Sequence, residues 1–459
     1  MEMASARRRG ANKPQAQGGG GGGDHQIALW GACVLLSSLS LLLAAASSGL
    51  GAARLTGVTA REVGALVKPT TSAVAAVHVA GGDNDGGGGR YCTDDDDMLR
   101  SMSVDGEWVH DGDAERRRHR ALYEPGQCPF VDEGFRCSEN GRPDGDYATW
   151  RWRPRRCTLP KFDGARLLEI LRGRRLVFAG DSIGRNQWES MLCMLSTAAA
   201  ADKPGSIYEE NGSPITKHKG FLSFRFREHN CTVEHYRSPY LLRRGRLPRR
   251  SPERRGGGGT IQLGAMDSRA ARWKDADVLV LNTGHWWSQE RLQRLGCYFQ
   301  DGKKLRLNMS VEDAYQRAMV TLQKWIQKEV NTTRTLVVLR TYSPAHVRFR
   351  DSGGCAAETL PELNASRIKL HRWPGILNPN FEALKKFDTE EKKLHVMNVT
   401  LMTAQRRDGH PSVYNAAPSS RTTAAAAGQR AADCSHWCLP GVPDAWNELL
   451  YALIVRRFM

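Results

Sequence analysis

Residues 175–195 read RLVFAGDSIGRNQWESMLCML. Leu176, Val177, Phe178 and Ala179 make a short apolar run of the strand type. The run breaks at Gly180-Asp181-Ser182, and a helical pattern follows with Trp188, Met191, Leu192 and Leu195 on one face. A serine on a sharp turn between a buried strand and a helix start has an exposed hydroxyl. The unpaired N–H groups of the first helical turn stand ready for a developing oxyanion. Asp and Ser are also good helix N-caps, so the turn alone suits a cap as well as a nucleophile.

Outward from this turn, strands and helices alternate. Phe162 to Leu171 reads as a helix feeding the strand. ADVLVL at 276–281 and TLVVL at 335–339 are continuous apolar runs, as expected of parallel strands covered on both faces. HVMNV at 395–399 is a fourth candidate strand. Ser310 to Val330 is a long amphipathic helix opened by a Ser310/Asp313 capping pair. Asp444 to Phe458 is a closing helix with Trp446, Leu449, Leu450, Leu453 and Ile454 apolar. The alternation predicts an α/β fold with a mostly parallel sheet and helices on both faces. Ligands bind such sheets at the carboxyl ends of the strands, where Ser182, Gly284 and Thr341 would converge. Arg243 to Gly259 and Ala416 to Gly428 read as surface loops.

Upstream, composition divides the chain of 459 residues. Residues 1–26 are basic and glycine-rich, as in a disordered tail. Residues 27–46 form an uncharged apolar run long enough to span a bilayer, read as a signal anchor with the basic tail cytoplasmic. A cleaved signal peptide is the competing reading. Residues 47–125 read as a flexible stem, and Asp94 to Asp97 as a solvated run. Residues 126–459 form the folded domain: a Cys/Trp-rich subdomain at 126–165 and an α/β core at 166–459.

The formal charge is +17, but the basic residues are scattered and no nucleic-acid-binding signature occurs. An anionic polymer substrate or a solvated basic surface fits better. The 11 cysteines contain no CxxC pair, so no metal site is expected. Spread cysteines with sequons at Asn230, Asn308, Asn331, Asn364 and Asn398, and a weaker one at Asn211, fit an oxidising lumen.

The second chemical signal is ADCSHWCLPGVP at 432–443. A serine nucleophile needs a general base, and the base needs an orienting carboxylate. Asp433 and His436, three apart between two cysteines, can supply both. Asp433 as a cap and His436 as a structural residue is the plainer reading. Asp408 and His410 in DGHPS are a rival acid and base, or else they shape the acceptor groove or hold the loop.

GDSIGRNQWES at 180–190, LNTGHWW at 281–287, RRDGHPS at 406–412 and DCSHWCLPGVPDAWNELL at 433–450 together resemble the plant trichome-birefringence-like family. Its members are Golgi O-acetyltransferases of cell-wall polysaccharides. The resemblance runs from about Cys128 to the C-terminus, and it implies a GDSL/SGNH-like three-layer sandwich. It also implies a double displacement: Ser182 takes the acetyl group, His436 is its base, Asp433 orients His436, and a sugar hydroxyl then attacks the acetyl-serine. Asp181, next to Ser182, should point into the turn it helps to hold. The Ser182 N–H, Gly212, Asn282 and Gly284 are the candidate oxyanion donors, and Arg185 and Asn186 line the pocket or serve structure. Trp286, Trp287 and His410 are candidates for an acceptor groove, with one tryptophan on a sugar and the other in the core.

By the same resemblance the cysteines pair as Cys92–Cys157, Cys128–Cys193, Cys137–Cys438 and Cys355–Cys434, although sequence alone does not fix connectivity. Cys33 falls in the membrane span, and Cys231 and Cys297 are left over. The expected acceptor is xylan, at 2-O and 3-O of xylosyl residues, with pectin (rhamnogalacturonan) as the alternative. No bound cofactor is implied; acetyl-CoA or a relayed acetyl carrier enters as co-substrate. The same triad would serve an acetyl esterase if water replaced the sugar hydroxyl, and a non-catalytic polymer-binding role would leave Ser182 dispensable. The implied setting is a single-pass type II Golgi membrane protein with a lumenal catalytic domain.

Overall fold

The computed structural model describes residues 90–110, 122–199, 205–215, 220–247, 258–346, 355, 357–368, 394–417 and 432–459. The tail at 1–26 and the apolar span at 27–46 lie outside them. Among the described residues no helix is long and apolar enough to cross a membrane.

Part of the stretch read as a stem has regular structure. The Asp95 carboxylate accepts the N–H groups of Asp97 and Met98 and so caps helix α1 (Asp96–Ser101). Strand β1 (Gly106–His110) pairs antiparallel with β2 (Trp150–Pro154). The acidic run is solvated, as expected, with Asp94, Asp96 and Asp97 exposed, and it also serves as a cap and first turn, where acidic side chains are favoured. Trp108 is buried and donates from Nε1 to the Met402 carbonyl at 2.8 Å.

Helix α2 (Gly164–Ile170) leads to β3 (Arg175–Gly180) and helix α3 (Ser182–Ser196). Then come β4 (Ile207–Glu209), β5 (Phe221–Phe226) and β6 (Cys231–Arg237). They are followed by β7 (Leu242–Arg246), β8 (Gly259–Met266), the short helix α4 (Ala270–Trp273) and β9 (Val278–Asn282). After α5 (Gln289–Arg294), β10 (Cys297–Asp301) and β11 (Lys304–Arg306), helix α6 (Val311–Glu329) precedes β12 (Leu336–Arg340). The chain closes with β13 (Leu394–Met397), α7 (Thr400–Ala404) and α8 (Val442–Phe458).

The main sheet has seven strands in the order β13-β12-β9-β3-β6-β5-β4. The five from β13 to β6 are mutually parallel, and β5 and β4 extend the sheet antiparallel. Strand side chains alternate between faces. Leu176, Phe178, Val278, Val280, Leu336 and Val338 pack with α2, α3 and α8. Val177, Ala179, Leu279, Leu281, Val337 and Leu339 pack with α6. Helix, sheet and helix therefore form three layers around a doubly covered sheet, which is why these strands read as unbroken apolar runs.

A second sheet, β11-β10-β8-β7, was not anticipated. The two ends of the supposed loop at 243–259 belong to its strands β7 and β8, while 248–257 lie outside the described residues. Strand β7 is an edge strand of sequence LRRGR, formed by pairing rather than by an apolar pattern. Four disulfides join Cys92 to Cys157, Cys128 to Cys193, Cys137 to Cys438 and Cys355 to Cys434, the pairing the resemblance implied. Among the described residues Cys231 and Cys297 are free and buried.

Candidate active site

At the carboxyl edge of β3 the structure joins the ends of the chain. Ser182 opens α3 and His436 lies in the turn before α8, and His436 Nε2 stands 2.8 Å from Ser182 Oγ. His436 Nδ1 lies 2.7 Å from Asp433 Oδ2. The other Asp433 oxygen accepts the Ser435 and His436 N–H groups at 3.1 Å each. Asp433 thus folds the turn with one oxygen and orients the imidazole with the other. A carboxylate only accepts, so Nδ1 carries the proton and Nε2 is left to receive one from serine. Burial disfavours the Asp433 charge, but the imidazole and the two N–H groups outweigh it and hold its pKa well below the usual carboxylate range. For His436, burial opposes protonation, and the charge and hydrogen bond of Asp433 reverse the balance and raise its pKa. The two side chains are 24% and 25% exposed, so the pair is open to a reactant.

The turn is held from several sides. Asn186, one helical turn after Ser182, accepts the Trp437 N–H at 2.7 Å and donates to the Trp437 carbonyl at 3.1 Å. The residue after the base is therefore pinned to the nucleophile's own helix. Ser412 and Asp433 exchange backbone hydrogen bonds of 2.8 and 3.0 Å, and the Cys438 N–H donates to the Gly409 carbonyl. Cys355–Cys434 and Cys137–Cys438 clamp both flanks.

Asp408 and His410 belong to this support rather than to a rival triad. Asp408 is fully buried against Arg406 at 2.8 Å. His410, expected in the acceptor groove, is 2% exposed and stacks on Trp437 at 4.0 Å. It donates Nδ1–H to the His436 carbonyl at 2.7 Å, while Nε2 meets His346 Nδ1 at 2.7 Å. Burial keeps its pKa well below that of a free imidazole. Of the two supporting roles open to it, the ring holds the loop that carries the base and does not line a groove. His346 and Ser343 were not singled out from the sequence. Ser343 accepts from Trp437 Nε1 with its hydroxyl and from His285 Nε2 with its carbonyl. The available signal was their place just after β12, on the site edge.

Beneath the nucleophile, Asp181 points into the turn. Its Oδ1 accepts the Ile183 and Gly184 N–H groups at 2.9 and 3.3 Å and Asn282 Nδ2 at 2.7 Å; Oδ2 lies 3.4 Å from His285 Nδ1. Burial alone would raise the Asp181 pKa, but His285, Arg340 and Asn282 together hold it well below the usual range. Asn282, proposed as an oxyanion donor, is 3% exposed, and its amide serves the turn. A Cβ on Gly180 or Gly184 would fall inside the Asn282 side chain, so both positions need glycine.

The other expected residues are dispersed. The N–H of Gly212 closes a turn onto Glu209, and Gly212 is exposed. Gly284 follows β9 and accepts the Trp287 N–H. Arg185 is buried and pairs with Glu189 at 2.6 Å; burial pushes Glu189 up to about 7 against the pull of that guanidinium. Trp287 is in the core, with Nε1 on Thr283 Oγ1, whereas Trp286 is half-exposed, so the adjacent indoles do divide between core and surface. Asn211, Asn230, Asn308, Asn331 and Asn364 are exposed, and Asn398 is half-buried.

In comparison with known proteins, residues 159–453 match the PC-Esterase family, described as a GDSL/SGNH-like acyl-esterase family found in Pmr5 and Cas1p. Residues 103–158 match the PMR5 N terminal domain. The chain is similar to protein trichome birefringence-like 9 of Arabidopsis thaliana, 40% identical over 355 residues, 76% of this chain and 82% of that one. It is similar to trichome birefringence-like 6 of the same plant, 39% identical over 77% of this chain and 70% of that one. To the plant's protein trichome birefringence it is 38% identical over 77% of this chain and 56% of that longer one.

Proposed function

The chain belongs to the PC-Esterase family of GDSL/SGNH-like acyl-esterases, among its trichome birefringence-like members, and from that premise we propose that it transfers acetyl groups to hydroxyls of a plant cell-wall polysaccharide. The observation that carries the reading is the hydrogen-bonded chain from Ser182 through His436 to Asp433. Ser182 Oγ attacks the carbonyl carbon of the acetyl donor as its proton passes to His436 Nε2. The imidazolium formed is stabilised by Asp433 and returns that proton to the leaving group. A sugar hydroxyl then loses its proton to Nε2, its oxygen attacks the acetyl-serine, and Ser182 Oγ is reprotonated. As the first residue of α3, Ser182 has no intrahelical acceptor for its N–H, which suits it to the tetrahedral oxyanion.

The acceptor that the family resemblance implies is xylan, at its 2-O and 3-O xylosyl hydroxyls, and the donor is acetyl-CoA or a relayed acetyl carrier. The same reading puts the folded unit on the lumenal side of a Golgi membrane behind an anchor at 27–46, and four disulfides suit such a compartment. The test is incubation of the full chain with an acetyl donor and deacetylated xylan or pectin. Ester-linked acetate on the polymer is the expected product. Free acetate without polymer acetylation would make the protein an esterase instead.

A further inference from the structure

At the carboxyl end of β6 a cleft of about 440 Å³ is lined by Arg237, Arg243, Arg244, Arg269, Trp286 and Asp267. Asp267 is already engaged: its oxygens accept Arg269 Nε and a terminal nitrogen at 3.0 and 2.9 Å, and Ser238 Oγ at 2.8 Å. Arg237, Arg243 and Arg244 face no carboxylate among the described residues. With Arg269 paired to Asp267, these three arginines leave the cleft an excess of positive charge, which attracts an anion. Trp286 is held where it stands. The guanidinium carbons of Arg291 and Arg237 lie 4.8 and 5.7 Å from its ring centre, and Tyr240 packs edge-on at 6.1 Å.

The position matters as much as the chemistry. Arg237 is in register with Gly180, two residues before Ser182, and the Ser238 N–H donates to the Gly180 carbonyl at 2.6 Å. The cleft therefore begins one strand spacing, about 4.8 Å, to the side of the nucleophile's strand and on the same sheet edge. A polymeric acceptor extending along that edge from Ser182 brings a neighbouring sugar over it. Guanidinium forks bind a carboxylate through two parallel hydrogen bonds, and a fixed indole offers a flat apolar face to the C–H side of a sugar ring.

We propose that this cleft is a subsite for a carboxylate-bearing, uronosyl residue of the acceptor polysaccharide. Arg237, Arg243 and Arg244 take the carboxylate, and Trp286 takes the ring. The proposal deepens the acetyl-transfer reading and rests on it for the direction of the bound chain. It separates acidic polysaccharides, and neutral backbones with acidic branches, from wholly neutral ones.

The test uses the full chain carrying Ser182→Ala, titrated by calorimetry with a uronic-acid oligosaccharide and with the same oligosaccharide after its carboxyl groups are reduced to alcohols. The acidic form should bind about tenfold more tightly at low ionic strength, as expected for charge-assisted hydrogen bonds, and the preference should shrink in 1 M salt, on the order of a 3 Å screening length. Arg237→Gln should reduce that preference toward unity. So should the pair Arg243→Gln and Arg244→Gln, whose side chains are exposed and which therefore stands in if Arg237→Gln does not fold. Equal binding of the two oligosaccharides overturns the subsite, whether or not transfer is seen. In the parent chain, arginine variants that raise KM for the acetyl donor, and not for the acceptor, assign the cleft to an anionic donor and also overturn it. Acidic preference without any acetyl transfer would leave the subsite and remove the transferase reading; transfer with no preference would do the reverse.

Discussion

His436 works between opposed influences. Burial favours the neutral imidazole, and the Asp433 charge and hydrogen bond, with smaller help from Asp181 and Glu189, favour the protonated one and prevail. Only the neutral ring can take the serine or sugar proton, so kcat/KM should fall as pH drops through a value above the ordinary histidine pKa of about 6.5. Asp433→Asn removes the charge and leaves burial in control. Its acid limb should move to lower pH while the plateau falls roughly 10³–10⁴-fold, as in triads deprived of their carboxylate. An unmoved limb in the variant's pH profile would mean that another group holds the base. The raised His436 pKa contributes stability below about 6.5 that is lost as pH rises through the folded value; the depressed Asp433 pKa contributes stability above about 3.9 that is lost as pH falls. Two readings of one turn also resolve here, because Asp181 is the cap and Ser182 faces the base.

Between elements, the contact of α3 with β9 sets the nucleophile's height. Asn282 fills the space over Gly180 and Gly184, so the strand end and the helix start approach more closely than any side chain allows. In an open helix Gly→Ala stabilises by about 1 kcal/mol. Gly184→Ala should instead destabilise by roughly 1–3 kcal/mol through overpacking, read as a lower Tm, and should lower kcat by displacing Ser182. A Tm at or above that of the parent would contradict this packing. The main sheet was legible because each central strand is buried on both faces and so is apolar throughout, and α6 because its apolar stripe faces the sheet. Strand β7, with three arginines in five residues, carries no such mark, nor do the short β10 and β11. The triad residues were legible as types on a turn. Holding the loop was one of two roles open to His410, and a structural role one of two open to Asn186; the service of Ser343 was not legible, since a hydrogen bond between residues 94 positions apart leaves no local pattern.

Over the whole molecule, residues 90–110 are part of the body that carries the site. Cys92 bonds Cys157, β1 pairs β2, and Trp108 reaches Met402 in α7, while Cys137 ties the loop-rich subdomain to Cys438 two residues after the base. A chain begun at residue 85 should therefore melt cooperatively, and one begun at 126, where composition set the boundary, should be less stable by at least the ~2–5 kcal/mol that losing such a disulfide costs. Equal denaturant midpoints for the two would show that residues 90–110 are dispensable. The sequons sit on the same body, exposed at Asn211, Asn230, Asn308, Asn331 and Asn364.

In the proposed reaction Ser182 carries the acetyl group between donor and sugar. Incubation of the full chain with an isotopically labelled acetyl donor and no acceptor, followed by peptide mass spectrometry, tests it most directly. A labelled acetyl ester is expected on the peptide containing Ser182, discharged when deacetylated polysaccharide is added and absent from Ser182→Ala. Label on another residue, or polymer acetylation that continues in Ser182→Ala, would contradict it.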